Sequence, residues 1–132
     1  MGEGNEAMVQ DEIVRELAGL RERVMGVTGT VVAASDGLVV ASDSPQVRDQ
    51  ALAALAAAGL GLGKRTAGEV ALGPLAEVEF RCQGGHVVVY AVGAEALLAV
   101  MGDEGMDGPT LAKESSRTIE RVGALLEVTE AV

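Results

Sequence analysis

The sequence predicts an α+β domain in which one five-stranded antiparallel sheet lies between helix layers, two helices on one face and one long helix on the other. Three observations lead there. The periodicities fall in the order helix, two strands, helix, three strands, helix. Except through the central helix, the connections are too short for parallel crossovers, which take about a dozen residues or more. Finally, Ala51 to Gly63 is an unbroken run of Ala, Leu and Gly. A helix there is apolar all round and needs cover on two sides: its own sheet on one and, in so small a domain, a second subunit or another partner on the other.

Residues 1–7 are polar and glycine-containing, so a disordered tail is expected before a single domain over 8–128, with 129–132 frayed. The first helix is predicted over Met8 to Met25. Val9, Ile13, Leu17, Leu20 and Val24 recur at spacings of three and four, and charged residues fill much of the remaining surface. Val27 to Ser35 and Leu38 to Ser42 read as the strands of a hairpin turned at Asp36-Gly37, a pair that tolerates positive φ.

Ser44-Pro45 offers an N-cap and a first-position proline for the central helix, with Asp49 favoured near its positive end. At 100° per residue, Leu52, Leu55, Leu62 and Val70 share one side with Gly59 and Thr66, opposite Ala53, Ala57, Leu60, Lys64 and Ala71. The leucine side is expected on the chain's own sheet and the small-residue side on a second subunit. Gly59, Gly61 and Gly63 each cost a helix roughly 1 kcal/mol relative to Ala, so it either runs through them or breaks there. Gly73-Pro74 is a stop.

Leu75 to Cys82 alternates, with Ala76, Val78, Phe80 and Cys82 facing inward and Glu77, Glu79 and Arg81 outward. His86 to Gly93 is nearly continuous apolar strand, and Ala96 to Met101 is the fifth. A loop, Gly102 to Gly108, leads into a last helix from near Pro109 to about Val128, with Leu111, Ser115, Ile119, Val122 and Leu126 on its buried stripe.

The chain has 132 residues, 48% hydrophobic but only 2% aromatic, so its core is built from Val, Leu, Ala and Ile. A net charge of -10 opposes phosphate backbones and anionic lipid; nucleic-acid binding and peripheral membrane attachment are disfavoured, and an electropositive partner surface is favoured. No run is long enough to span a bilayer. One cysteine and an N-terminus without the basic-then-apolar order of a signal peptide lead to an expected cytoplasmic location.

No catalytic constellation emerges, and neither enzymatic activity nor a cofactor is expected. GLGLGK (59–64) invites comparison with phosphate loops, but Ala58 stands where the first glycine belongs and Arg65 where Ser or Thr would hold magnesium. Asp103, Asp107, Gly108 and Glu114 fall at positions one, five, six and twelve of a calcium loop, yet Gly105 misses position three and a strand precedes, which favours a plain solvated loop and no metal. His86 lacks partners that would make it a base. Cys82, Phe80 and Tyr90 are expected in the core.

The hairpin VTGTVVAASDGLVVASDSP (27–45), with the amphipathic helix before it and the apolar helix after it, and the hairpin LAEVEFRCQGGHVVVYAVG together resemble the Roadblock dynein-light-chain family, most closely its bacterial branch of small acidic actinobacterial members. The resemblance covers about residues 8–128. It implies a profilin-like three-layer α/β/α fold with sheet order 2-1-5-4-3, and a homodimer that apposes central helices and third strands into one continuous sheet. It also implies that the dimer regulates or binds a small Ras-like GTPase, often encoded beside a sensor kinase. By position, Leu75 to Cys82, with Glu77, Glu79 and Arg81, becomes the pairing edge, and Ala53, Ala57, Leu60, Gly61 and Lys64 the central-helix contact. The alternative is a small-ligand sensor using a cavity between sheet and helix.

Overall fold

The computed structural model describes residues 2–44 and 48–130. The elements are α1 (Gly2–Arg23), β1 (Val27–Ala34), β2 (Val39–Asp43), α2 (Asp49–Glu69), β3 (Val78–Cys82), β4 (Gly85–Val92), β5 (Ala96–Asp103) and α3 (Gly108–Glu130). All sheet neighbours are antiparallel, in the order β2-β1-β5-β4-β3. This is the expected sheet.

Alternation along the central strands supplies both faces. Leu98 and Val100 of β5 join Val32 and Val88 beneath Ile13, Leu17, Leu20 and Val24 of α1 and Leu111 and Val122 of α3. Leu97 and Ala99, one residue out of phase, join Val31, Ala33 and Val89 beneath Ala53, Ala56 and Leu60 of α2. The hairpin turns where expected: Gly37 has φ 91°, its N–H donates to Ala34 O at 2.9 Å, and Asp36 Oδ1 accepts from the Leu38 N–H at 3.1 Å.

Several boundaries move. Helix α1 begins at Gly2, not Met8, so residues 2–7 are helical where a tail was expected. Helix α2 begins at Asp49 because the expected cap is used elsewhere: buried Ser44 donates its hydroxyl to Thr30 O on β1 at 2.9 Å. The proline expected to follow it, Pro45, lies outside the described residues. Asp49 is in the first turn as expected and accepts from Ser42 Oγ at 2.5 Å. The helix runs unbroken through Gly59, Gly61 and Gly63.

Helix α2 ends at Glu69, short of Gly73-Pro74, through a C-terminal turn that closes on itself. The Leu72 N–H donates to Ala67 O at 3.2 Å and the Ala71 N–H to Gly68 O at 3.3 Å, with Ala71 left-handed at φ 55°. This is a Schellman closure with alanine where glycine is usual. Left-handed backbone costs an L-residue about 1–2 kcal/mol, partly offset by the unfolded-state entropy that glycine adds. Ala71→Gly is therefore expected to raise the melting temperature by roughly 3 °C, read by calorimetry.

Candidate functional site

Burial decides which side of α2 is free. Ala53 is 0% and Leu60 3% exposed, both within the α2–sheet core, and Ala57 is half-buried against it. The expected assignment is thus reversed: the small-residue side of α2 packs on the chain's own sheet, so Ala53 and Leu60 are not available as a subunit contact and Ala57 is only partly so. Gly61 and Lys64, assigned with them, are exposed.

Small residues go inward because they let helix and edge strand come close. A Cβ added at Gly59 would stand 2.7 Å from Phe80 Cζ, and one at Gly63 2.7 Å from Val78 Cγ2. The two glycines, one turn apart, form the surface against which β3 docks. Their amides lie inside a continuous helix, so GLGLGK is not a phosphate loop.

The leucine side looks outward. Leu55 is 69% exposed, Leu62 70%, Val70 54%, Leu72 82% and Phe80 42%. Leu52, Leu55, Leu62, Phe80 and Val87 line an open apolar groove of about 380 Å³ between α2 and the β3–β4 hairpin. It continues past Gly59, Leu62 and Phe80 into one of about 550 Å³ lined by Val70, Leu72, Leu75 and Val78. Isolated exposed leucines are ordinary, but a contiguous apolar surface marks a contact site.

The same side of the molecule ends in an open strand. Among the described residues, strand β3 pairs only with β4, so half of its backbone N–H and C=O groups face outward. The opposite edge is obstructed: Gln10 of α1 donates to Val40 O of β2 at 2.7 Å, and Arg21 pairs with Asp43. The strand begins at Val78, not Leu75, so Glu77 precedes it; Glu79 and Arg81 line the other face of β3, and all three are exposed as expected. His86 Nδ1 stands 2.9 Å from Glu79 Oε2, an orienting partner that sequence spacing did not disclose. Phe80 and Cys82, expected in the core, are exposed because β3 is an edge strand that α2 only partly covers. Tyr90 is buried as expected; burial holds its phenol above the usual range, against a hydrogen bond with Ser115 that lowers it.

The calcium-like spacing does not converge. Asp103 Oδ1 accepts from the Gly105 N–H at 2.9 Å, and Glu114 pairs with Arg23 at 2.7 Å. Asp107 caps α3, accepting from the Thr110 N–H at 3.1 Å and the Thr110 hydroxyl at 2.7 Å. Among the described residues no group of three or more His, Cys, Asp or Glu could hold a metal.

The hydroxyl bond first, then the backbone bond, lowers the Asp107 carboxyl below its ordinary value against a smaller opposing effect of burial. The cap's contribution is fully present above the unfolded-state pKa and is lost as pH falls through the lowered folded value. Asp107→Ala is therefore expected to lower the melting temperature at neutral pH, with the gap to wild type closing in strong acid; a pH series of thermal melts reads it.

The family model described as Roadblock/LC7 domain matches residues 13–101, from the middle of α1 through most of β5. The chain belongs to the Roadblock/LC7 family. An uncharacterised protein of Methanocaldococcus jannaschii is 30% identical over 119 residues, covering 89% of this chain and 99% of that one. Among solved structures, a Roadblock/LC7 domain from Streptomyces avermitilis superposes with TM-score 0.82 at 24% identity, covering 86% of this chain and 97% of its own. The gliding protein MglB from Thermus thermophilus gives 0.81 at 17% identity, covering 90% and 91%. The Roadblock fold is also profilin-like: Acanthamoeba castellanii profilin II superposes at 0.60 with 15% identity over 87% and 97% of the two chains. No described helix of this Roadblock chain is long and apolar enough to cross a membrane.

Proposed function

We propose that this Roadblock domain is a non-catalytic, homodimeric scaffold of small-GTPase-linked signalling in the cytoplasm, binding a Ras-like GTPase and modulating it, in concert with a sensor kinase. The observation that carries the dimer is the coincidence of a contiguous apolar surface with an open edge strand. A two-fold axis perpendicular to the sheet, just outside the open edge of β3, would pair the strand antiparallel with its copy and continue the sheet. Because that axis keeps each face of the sheet on its own side, both α2 helices would lie together. Leu55, Leu62 and Phe80 of each protomer would then close the other's apolar groove. The charge of -10 suits a partner with an electropositive surface. The GTPase itself rests on membership of the Roadblock/LC7 family and on what the resemblance to its bacterial branch implies.

Sedimentation at micromolar concentration is expected to give a dimer, and capture from native cytoplasm to retain a Ras-like GTPase. A monomer would refute the scaffold. A dimer that retains no GTPase but melts at a higher temperature with a small metabolite would favour the ligand-sensing role instead.

A further inference from the structure

We infer that Arg81 is the residue by which the open edge strand selects a second copy of this chain over other strands, through a charge pattern that is complementary only to itself. The inference rests on the dimer proposed above and adds its specificity.

Val78 and Phe80 meet Gly63 and Gly59 of α2. Side chains alternate along a strand, so Glu79 and Arg81 share the opposite face, and Glu77, just ahead of β3, lines the same shallow pocket beside them, in the order acid, acid, base. In a two-fold antiparallel pairing a strand meets its own reverse, and residues directly opposite share a face. The axis is therefore level with one residue position, midway between that residue and its copy. The register that pairs all of β3 places it at Phe80, the midpoint of 78–82; a shift by one to Glu79 pairs the end of the strand with residues 76 and 77 that precede it.

With the axis at Glu79, Arg81 stands opposite Glu77 of the second copy; with the axis at Phe80, it stands opposite Glu79 of the second copy. Either way the symmetry makes the contact twice, and each guanidinium faces a carboxylate. The apolar face agrees, because the same registers set Phe80 against Val78 or against Phe80 of the second copy, beneath the α2 grooves.

The protomer leaves Arg81 available for this contact. Among the described residues its guanidinium forms no ion pair. Its cross-strand neighbour on β4 is His86, which offers no negative charge and instead binds Glu79 at 2.9 Å. With the axis at Glu79 the only like-charged encounter is Glu79 with its own copy, and each of those carboxylates carries His86 beside it.

A charge-swap pair tests the assignment. Arg81→Glu makes the face entirely acidic, and Glu77→Arg with Glu79→Arg makes it entirely basic; in both registers each variant then repels itself and complements the other. All three positions are exposed, so the folded protomer should survive, which circular dichroism and melting check. Sedimentation of each variant alone is expected to show a dimer dissociation constant at least tenfold above wild type. An equimolar mixture of differently tagged variants is expected to form heterodimers by native mass spectrometry with affinity restored to near wild type. A wild-type dimer whose self-affinity Arg81→Glu leaves unchanged, or two variants that fail to pair with each other, would overturn the role of Arg81 while the dimer stands. A monomeric wild type would overturn both.

Discussion

Replacing Leu62 with arginine is expected to convert the dimer to a folded monomer, with the dissociation constant rising at least a hundredfold. Leu62 is 70% exposed in the protomer and lines both apolar grooves. Substitutions at exposed helical positions cost a protomer about 0.5 kcal/mol or less, so its melting temperature should barely change once dissociation is accounted for. The effect falls on association. The proposed two-fold places Leu62 near the centre of the contact, where the variant would bring two guanidiniums into an apolar setting without a carboxylate to receive either. Unpaired charge buried at an interface costs about 2–5 kcal/mol, and a hundredfold is about 2.7 kcal/mol. Sedimentation velocity over a concentration series measures it. A dimer as tight as wild type would place self-association on another surface.

The order of elements was legible because each carries its own periodic signal: three-and-four spacing in α1 and α3, the Asp36-Gly37 turn, unbroken apolar runs in β4 and β5. The orientation of α2 was not. A helix's inner face is ordinarily marked by polar residues on the outer one, and from Ala51 to Gly63 there are none, so size stood in for polarity and placed leucine inside. Close packing on a sheet asks for the opposite when an edge strand must also be accommodated. Ala53 and Ala56 let the helix settle on Val31 and Leu97, while Gly59 and Gly63 admit Phe80 and Val78. Alternation in β3 separates its two faces, yet it carries no information about lateral position in the sheet, and burial at an edge depends on that position. Hence Phe80 and Cys82 came out more exposed than their pattern implied. The β2 edge was invisible in sequence, since it is blocked by Gln10 reaching Val40 across 30 positions.

Leu60→Ala reads the same helix from its other side and is expected to have the largest effect on stability. Leu60 is 3% exposed and packs with Ala53 and Ala56 against Val31, Val89 and Leu97. Its loss removes three buried carbons and leaves a cavity that the strands beneath, β1, β5 and β4, each paired on both sides, are poorly able to close. Such truncations cost about 2–5 kcal/mol, a large share of the roughly 5–15 kcal/mol that holds a domain of this size together. A fall in melting temperature of about 10 °C follows. Conditions that keep the variant folded should leave dimer affinity within about twofold of wild type, because the lost side chain faces the protomer's own core. The two substitutions stand two residues apart on one helix and are expected to separate stability from association: Leu60→Ala destabilises a protomer that still dimerises, and Leu62→Arg preserves a protomer that does not. The reverse pattern, with Leu60→Ala dissociating the dimer at unchanged melting temperature, would return the small-residue side of α2 to the subunit contact.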